Sequence, residues 1–426
     1  MKRLGDILQG TTPPYGARHA NTRSQERNQP ATKKRGGMPA QPKKETVEVT
    51  DVKGKQLRLV KSRPKQYELF SSFLPDDQNA DRYSNTIELY DVAPKYFISK
   101  KKMQELRETI GDGIKKRYLD KLVRHFEHRG KHYTLTVHPA FVEDQDGEDV
   151  AHYPSETEEF VEEALRKIAC DNPLSAVFLN GKAGLQFTGY QLQQELKRTG
   201  HSMNWPNLWK SLQICAGCRL TITARGDEKE IYLSAPLFPV LAMRSRKQYE
   251  ANPKDAHCYV EFNPLVTASL QHLTYRQYDY ITCMDICSPL ARWLFRRLSH
   301  YYTQAHMTEP YNIKLSTIVR NSGMVSMTRP VRHQMADVET AIKQLKGTSI
   351  EEGVSILSET RKTVTRGLRG KIEEVHYTLY PHFDFVVQAK KANRRQQNLI
   401  SQALEEGLID QKDAGRFAQY RFDENP

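Results

Sequence analysis

Between Val331 and Leu345, apolar side chains recur at Val331, Met335, Val338, Ile342 and Leu345, at intervals of four, three, four and three. That spacing sets them on one face at 3.6 residues per turn and predicts an amphipathic helix with a buried stripe. Its other side carries Arg332, His333, Thr340 and Lys343, with Arg329 just ahead. Pro330 suits a first helical turn, where its missing N–H would have no intrahelical partner. Upstream, Leu315, Ile318 and Val319 predict a shorter helix that ends in a turn at Gly323. Past Gly347, the stretches 356–363 and 372–379 read as strands separated by a tip containing Arg366, Gly367, Arg369 and Gly370. A short helix, a turn and a basic amphipathic helix form a unit that can place side chains in a DNA major groove, with the basic hairpin tip lying along phosphates. The same pattern also suits an ordinary helical subdomain with a solvated charged face, and this segment alone does not separate the two.

A second copy of the pattern lies upstream. Ser155 and Glu158 stand at capping-box spacing ahead of Phe160, Val161, Ala164, Leu165 and Ile168. Thr188 and Gln191 repeat that spacing before Leu192 and Leu196, with Gly200 closing the helix. Trp205, Leu208, Trp209, Leu212 and Ile214 mark a third helix, which offers Asn207 and Lys210 as contacts, and strands follow at 220–223 and 231–233 around Gly226. The later half repeats the order, beginning with a helix over 290–301. The expected fold is therefore α+β, with tandem winged-helix domains at 151–262 and 263–388.

The other segments are less regular. A connector over 64–150 is expected to be strand-rich, with strands at 86–89, 96–98 and 132–137 around a basic helix from Lys101 to His125. Those strands could form a sheet shared between the two domains or between two protomers. The last segment, 389–426, is expected to hold a helix from Lys390 to about Glu406 and a tail. The helix has a basic start at Lys390, Lys391, Arg394 and Arg395 and a stripe of Leu399, Ile400, Ala403 and Leu404, and could add phosphate contacts or pack on the second domain.

Charge sharpens this picture unevenly. The 426-residue chain holds 64 Lys and Arg against 51 Asp and Glu, a net of +13 that favours a polyanion. Residues 1–63, however, hold 15 basic and 5 acidic residues, so the folded part must concentrate its small remaining excess on one face to bind DNA. The 1–63 segment, rich in Pro and Lys, has too few apolar residues for a core and is expected to be a disordered basic tail. It can serve as an arm along phosphates or as a solubilising leader. No signal-peptide core or membrane-length apolar run is visible, so the expectation is a soluble cytoplasmic protein without a membrane partner.

Candidate chemistry is sparse. Cys215, Cys218, His257 and Cys258 fall short of the two clear ligand pairs of a structural zinc and fit buried thiols, so neither metal nor cofactor is expected. His125, His128, His132 and His138 lie close in sequence, but no pair alternates with hydrophobic residues on one strand as a rolling-circle nickase would need.

Four motifs, taken in order, carry a family resemblance. Gln66–Phe70, Asp91–Pro94, Phe187–Leu192 and Ser288–Phe295 are similar to the plasmid replication initiators of the TrfA type, over roughly Gln66 to Leu345. The resemblance implies tandem winged-helix domains that bind repeated sites, called iterons, in double-stranded plasmid origin DNA. It also implies origin opening and recruitment of the host replicative helicase and initiator, without bond chemistry, and a possible homodimer. The run Gln66, Tyr67, Glu68, Leu69, Phe70 resembles the pentapeptide that binds the bacterial sliding clamp. Leu69 and Phe70 would fill an apolar pocket and Gln66 would anchor by hydrogen bonds, although Tyr67 replaces the usual Leu. Leu69, Phe70 and Phe73 could instead dock the tail on the first domain. The rival functions are a winged-helix transcriptional regulator, because fold does not fix function, and the less fitting nickase.

Overall fold

The computed structural model describes residues 46–50, 56–60, 82–96, 100–110, 117–144, 146–171, 176–179, 182–225, 230–244, 246–254, 256–271, 275–347, 355–405 and 407. The pentapeptide with Gln66, Leu69 and Phe70, most of the basic tail and the chain beyond 407 lie outside them. Within the tail, β1 (Thr46–Thr50) pairs antiparallel with β2 (Gln56–Val60). This hairpin departs from the expectation of a structureless segment. Its register sets Val47 opposite Leu59 and Val49 opposite Leu57, a period-two pattern that overall composition conceals.

The chain is a mixture of helix and sheet. β3 (Tyr83–Ile87) runs into α1 (Glu88–Val92), followed by α2 (Lys100–Ile110) and the hairpin β4 (Leu122–His128) and β5 (Lys131–His138). A second hairpin, β6 (Ala140–Glu143) and β7 (Asp149–His152), precedes α3 (Glu156–Asp171). Next come β8 (Ala176–Leu179), β9 (Lys182–Thr188), α4 (Gly189–Arg198), α5 (Trp205–Gly217), β10 (Arg219–Arg225) and β11 (Glu230–Pro236). β12 (Val240–Ala242), α6 (Arg246–Ala251), β13 (His257–Glu261) and α7 (Pro264–Gln271) complete this first half. The second half comprises β14 (Tyr275–Asp279), α8 (Tyr280–Asp285), α9 (Pro289–Tyr301), β15 (Tyr311–Lys314), α10 (Leu315–Ser322) and α11 (Val331–Gly347). It ends with β16 (Leu357–Arg366), β17 (Ile372–Pro381) and α12 (Phe383–Glu405). No described helix is long and apolar enough to cross a membrane.

Local chemistry accounts for several boundaries. Thr188 caps α4 by accepting from the Gln191 N–H while the Gln191 side chain accepts from the Thr188 N–H, a reciprocal capping box. Asn204 caps α5 and Ser288 caps α9, each with Pro in the first turn. The basic helix expected over 101–125 is described over Lys100–Ile110, and His125 lies on a strand. Residues 122–128 bury Phe126 and His128 while exposing Val123 and His125, the alternation of a strand rather than a helix. Tyr96 lies in irregular backbone rather than in the expected strand. β9, unforeseen between two helices, buries Ala183, Leu185 and Phe187 at alternate positions.

Strands from the connector complete sheets elsewhere. β5 pairs with β10, giving the order β11-β10-β5-β4, and β3 pairs with β14. A second four-stranded sheet runs β12-β13-β9-β8, and a three-stranded one runs β15-β17-β16. α10 packs against β4, where the Glu127 N–H donates to the Asn321 side chain at 3.0 Å and Arg320 pairs with Glu127 at 2.5 Å.

The two halves meet through charge buried between α3 and α9. Arg292, 1% exposed, bonds Glu156 at 2.7 Å and Glu159 at 3.0 Å. Arg296 pairs with Glu159 and, at 3.0 Å, with Glu163. Arg166 links Glu163 to Asp91 of α1, and Lys95 reaches Asp91 at 3.3 Å. Four carboxylates thus face four cations, and all but Glu156 are buried. Burial alone would raise the Glu159 carboxyl, but Arg292 and Arg296 outweigh it and hold the group at about 2. Two histidines sit in the same joint. His300 of α9 bonds the Thr86 hydroxyl of β3 at 3.0 Å, and His128 of β4 bonds the Tyr301 hydroxyl. Burial pushes both imidazoles down to about 3, helped for His128 by Arg129 and Arg297.

Removing one partner of such a buried lattice strands the other charge, so Arg296→Met is expected to cost about 3–5 kcal/mol in equilibrium unfolding by denaturant. Because the folded state holds His128 and His300 neutral, their contribution is fully present above the ordinary histidine pKa of about 6.5 and declines as pH falls toward 3. Thermal melts across that range should fall with a slope that His300→Asn reduces. An equal slope in the variant would remove His300 from the account.

Candidate nucleic-acid interface

α10 and α11 form a helix pair whose geometry is fixed at three points. Lys314 offers no side-chain cap to α10, and Glu374 of β17 does so instead. It accepts from the Ser316 N–H at 3.2 Å and from the Ser316 hydroxyl. The helix ends at Gly323 with φ 62°, where a Cβ would lie 2.3 Å from the Arg124 guanidinium and 2.9 Å from Pro94. Both the backbone angle and the close approach require glycine. The turn into α11 is then held by Gln334, only 8% exposed, whose Nε2 lies 3.1 Å from the Ser326 carbonyl, 3.3 Å from that of Met327 and 2.9 Å from that of Arg329.

Gln334 was not singled out in the sequence, yet a signal exists. It stands three residues after Val331 and four before Val338, a polar side chain on the apolar face of α11. Such a position is buried and needs partners, here carbonyls of the preceding loop.

α11 buries Val338, Ala341, Ile342 and Leu345 and packs Val331 and Met335 against the same core. Arg332, Thr340 and Lys343 are exposed along one opposite face, with His333 beside them. The side chains of Arg332, His333 and Lys343 make no hydrogen bond or ion pair among the described residues. Thr340 donates to the Ala336 carbonyl at 2.8 Å, leaving its oxygen free to accept. Arg329 is drawn back onto the helix by Asp337 at 2.6 Å.

The hairpin of β16 and β17 stands beside this helix and is tied to it by Lys362 and Glu339 at 2.7 Å. At its tip Gly367 N donates to the Lys371 carbonyl and Gly370 N to the Gly367 carbonyl. Arg366 donates to the Gly370 carbonyl at 3.1 Å, so it braces the tip as well as charging it. Arg369 occupies the left-handed region at φ 63° and projects into solvent. A cationic helix face and a cationic loop therefore share one side of the second half.

The first half differs. Asn207 is exposed at the start of α5, where its backbone N–H is capped by Asn204. Lys210 is only partly exposed and lies close enough to Asp144 to help lower that carboxyl, behind the Glu148 N–H. Asp144 belongs to the β6–β7 turn, and Glu143, Asp144, Asp146, Glu148 and Asp149 make this hairpin strongly acidic. β6 packs so closely on α5 that a Cβ on Gly217 would sit 2.9 Å from the Ala140 Cβ. The sequence reading missed this neighbour because it lies some sixty positions upstream of Lys210.

The remaining candidates are dispersed. Burial pushes the Cys215, Cys218 and Cys258 thiols up. Among the described residues, no group of three His, Cys, Asp or Glu is placed to hold a metal ion.

No protein-family model matches the sequence, and no curated relative does. Solved structures similar to the chain include domains 2–3 of RctB, at 9% identity over 63% of this chain and 95% of that one, with a TM-score of 0.35. Another is the Pi initiator protein in complex with iteron DNA, at 12% identity over 58% of this chain and 98% of that one, with a TM-score of 0.34. Overlays this loose place no residue of the present chain.

Gln334→Ala would leave the loop carbonyls without their donor, at a cost of about 1–3 kcal/mol. Hydrogen exchange should quicken at 326–332 and stay unchanged in β16 and β17. Uniform loosening of both would show that Gln334 serves the core rather than the turn.

Proposed function

We propose that this protein is a DNA replication initiator that binds repeated sites in double-stranded origin DNA through two tandem winged helices. The reading is carried by the side chains of Arg332, His333 and Lys343, which are without partners among the described residues on the exposed face of α11, beside the braced cationic tip with Arg366 and Arg369. Charges held apart from any protein carboxylate on a rigid helix are placed for a polyanion. Arg332 in the first turn enters the major groove with His333, while Lys343 and Arg369 take phosphates.

Arg329 joins by exchanging Asp337 for a base or phosphate. A surface ion pair is worth about 0–1 kcal/mol, less than the roughly 1–3 kcal/mol of a bidentate arginine–guanine contact, so the exchange is favourable. The first half reads a neighbouring groove through Asn207, with Lys210 contributing less because Asp144 shares its field. The step from DNA reader to initiator rests on the ordered motifs that resemble the TrfA-type proteins. The same resemblance supports clamp binding through Gln66, Leu69 and Phe70, helicase recruitment and a dimer exchange, without bond chemistry by the chain itself. A transcriptional regulator would share the DNA interface but would not sustain replication.

Footprinting over direct repeats near the coding region should locate the sites. Arg332→Ala is expected to cost about 1–3 kcal/mol and relax preference at one base pair, whereas Lys343→Ala should weaken all sites alike and lower the salt slope by about 1. Unchanged affinity and preference in Arg332→Ala would sink the interface. A plasmid whose only origin carries the repeats should replicate only when the chain is supplied. Loss of promoter repression with replication intact would favour the regulator.

A further inference from the structure

A cavity of about 250 Å³ lies between β14 and the C-terminal helix α12, and none of the residues assigned to DNA lines it. Arg276 and Gln277 of β14 line one side, and Lys391, Arg394 and Arg395 of α12 line the other. The three α12 cations stand at spacings of three and four residues, which gathers them on one side of that helix. A helix that only packs on a strand would present apolar residues at those positions.

The polar groups of the cavity are unevenly satisfied. Asp279 is its single carboxylate, and it is already engaged by Arg82 at 2.6 Å, by the Thr282 N–H at 2.8 Å and by Gln388 at 3.1 Å. Arg276 donates to the amide oxygens of Gln396 and Asn393, at 3.2 and 2.6 Å, neither of which carries charge. Arg395 donates to the Gln277 oxygen at 3.1 Å, while the buried Gln277 Nε2 donates to nothing among the described residues. Lys391 and Arg394 are exposed at the mouth and make no ion pair among the described residues. Like charges gathered around an open space repel one another unless an anion sits among them, and a buried amide N–H calls for an acceptor.

We propose that this cavity binds a small phosphorylated ligand of nucleoside-monophosphate size. A phosphate supplies several acceptor oxygens and the negative charge that Lys391 and Arg394 are without among the described residues, and guanidinium groups match its geometry. The volume lies just below the usual range for small-molecule sites, about 300–1,000 Å³, which suits a compact ligand and excludes a duplex. Occupancy would brace α12 against β14, and β14 pairs with β3 beside the buried charges that join the two halves. The ligand therefore stabilises the joint through residues other than those assigned to DNA.

The test titrates the full chain with AMP, glycerol phosphate and inorganic phosphate separately, at constant ionic strength, by calorimetry and thermal melting. At least one probe is expected to bind saturably at one site per chain and raise the melting temperature, and the probe that binds tightest identifies the source of the phosphate. The Lys391→Gln, Arg394→Gln double variant should weaken that binding at least tenfold. Gln277→Glu, which sets a carboxylate among the cations, should abolish it while leaving far-ultraviolet circular dichroism unchanged. Arg332→Gln with Lys343→Gln should leave it intact, which separates this site from the proposed DNA interface. Absence of saturable binding for all three probes overturns the proposal. So does binding that persists in both cavity variants, or that disappears in the α11 variant instead.

Discussion

The arrangement depends on charges buried between α3 and α9. Removing a carboxylate and a guanidinium from water is costly, and their attraction offsets that cost only when every group finds a partner in good geometry. Arg292 and Arg296 find theirs on Glu156, Glu159 and Glu163, and Arg166 carries the chain of contacts on to Asp91. Apolar packing tolerates small rotations between two helices, whereas this lattice does not. It ties α3 of the first half to α9 of the second, and so fixes how the two proposed reading surfaces are set relative to each other.

From that joint, constraint spreads outward. Trp293 donates to the Val92 carbonyl, Asn321 and Arg320 pin α10 to β4, and Gly323 closes the turn against Arg124 and Pro94. Gln334 then sets the entry to α11 from beneath. Apart from Gly323, each step uses a polar group with directional bonds. The outcome is a fixed mount for α11 and the side chains on its exposed face. The acidic β6–β7 hairpin makes the first half less cationic than the second, so the two halves are similar in the order of their elements and unequal in field.

Three of the four motifs that carry the family resemblance turn out to be structural. Asp91 and Arg292, from two of them, meet the same buried lattice, and Thr188 with Gln191, from a third, forms a capping box. They identify a way of folding, while the exposed side chains that would read a base lie outside them. Gln66–Phe70, the fourth, lies outside the described residues. Resemblance and chemistry thus bear on different parts of the chain.

The sequence by itself determined the elements whose periodicity is strong. The apolar stripe of α11, the capped starts of α4 and α9 and the turn at Gly323 follow from spacing and from local hydrogen bonds, which act over four residues or fewer. The exposed positions of Arg332, His333 and Lys343 follow from that same stripe. Tertiary structure decided everything that joins distant residues. Only the fold could place Asp337 on Arg329, Asp144 near Lys210, Glu374 under Ser316 and β5 beside β10. It also turned the segment around His125 into a strand and grouped the cations of α12 around a cavity. Charge interactions and strand pairing carry no record of their partners in local sequence, because their energy depends on distance in space rather than on separation along the chain.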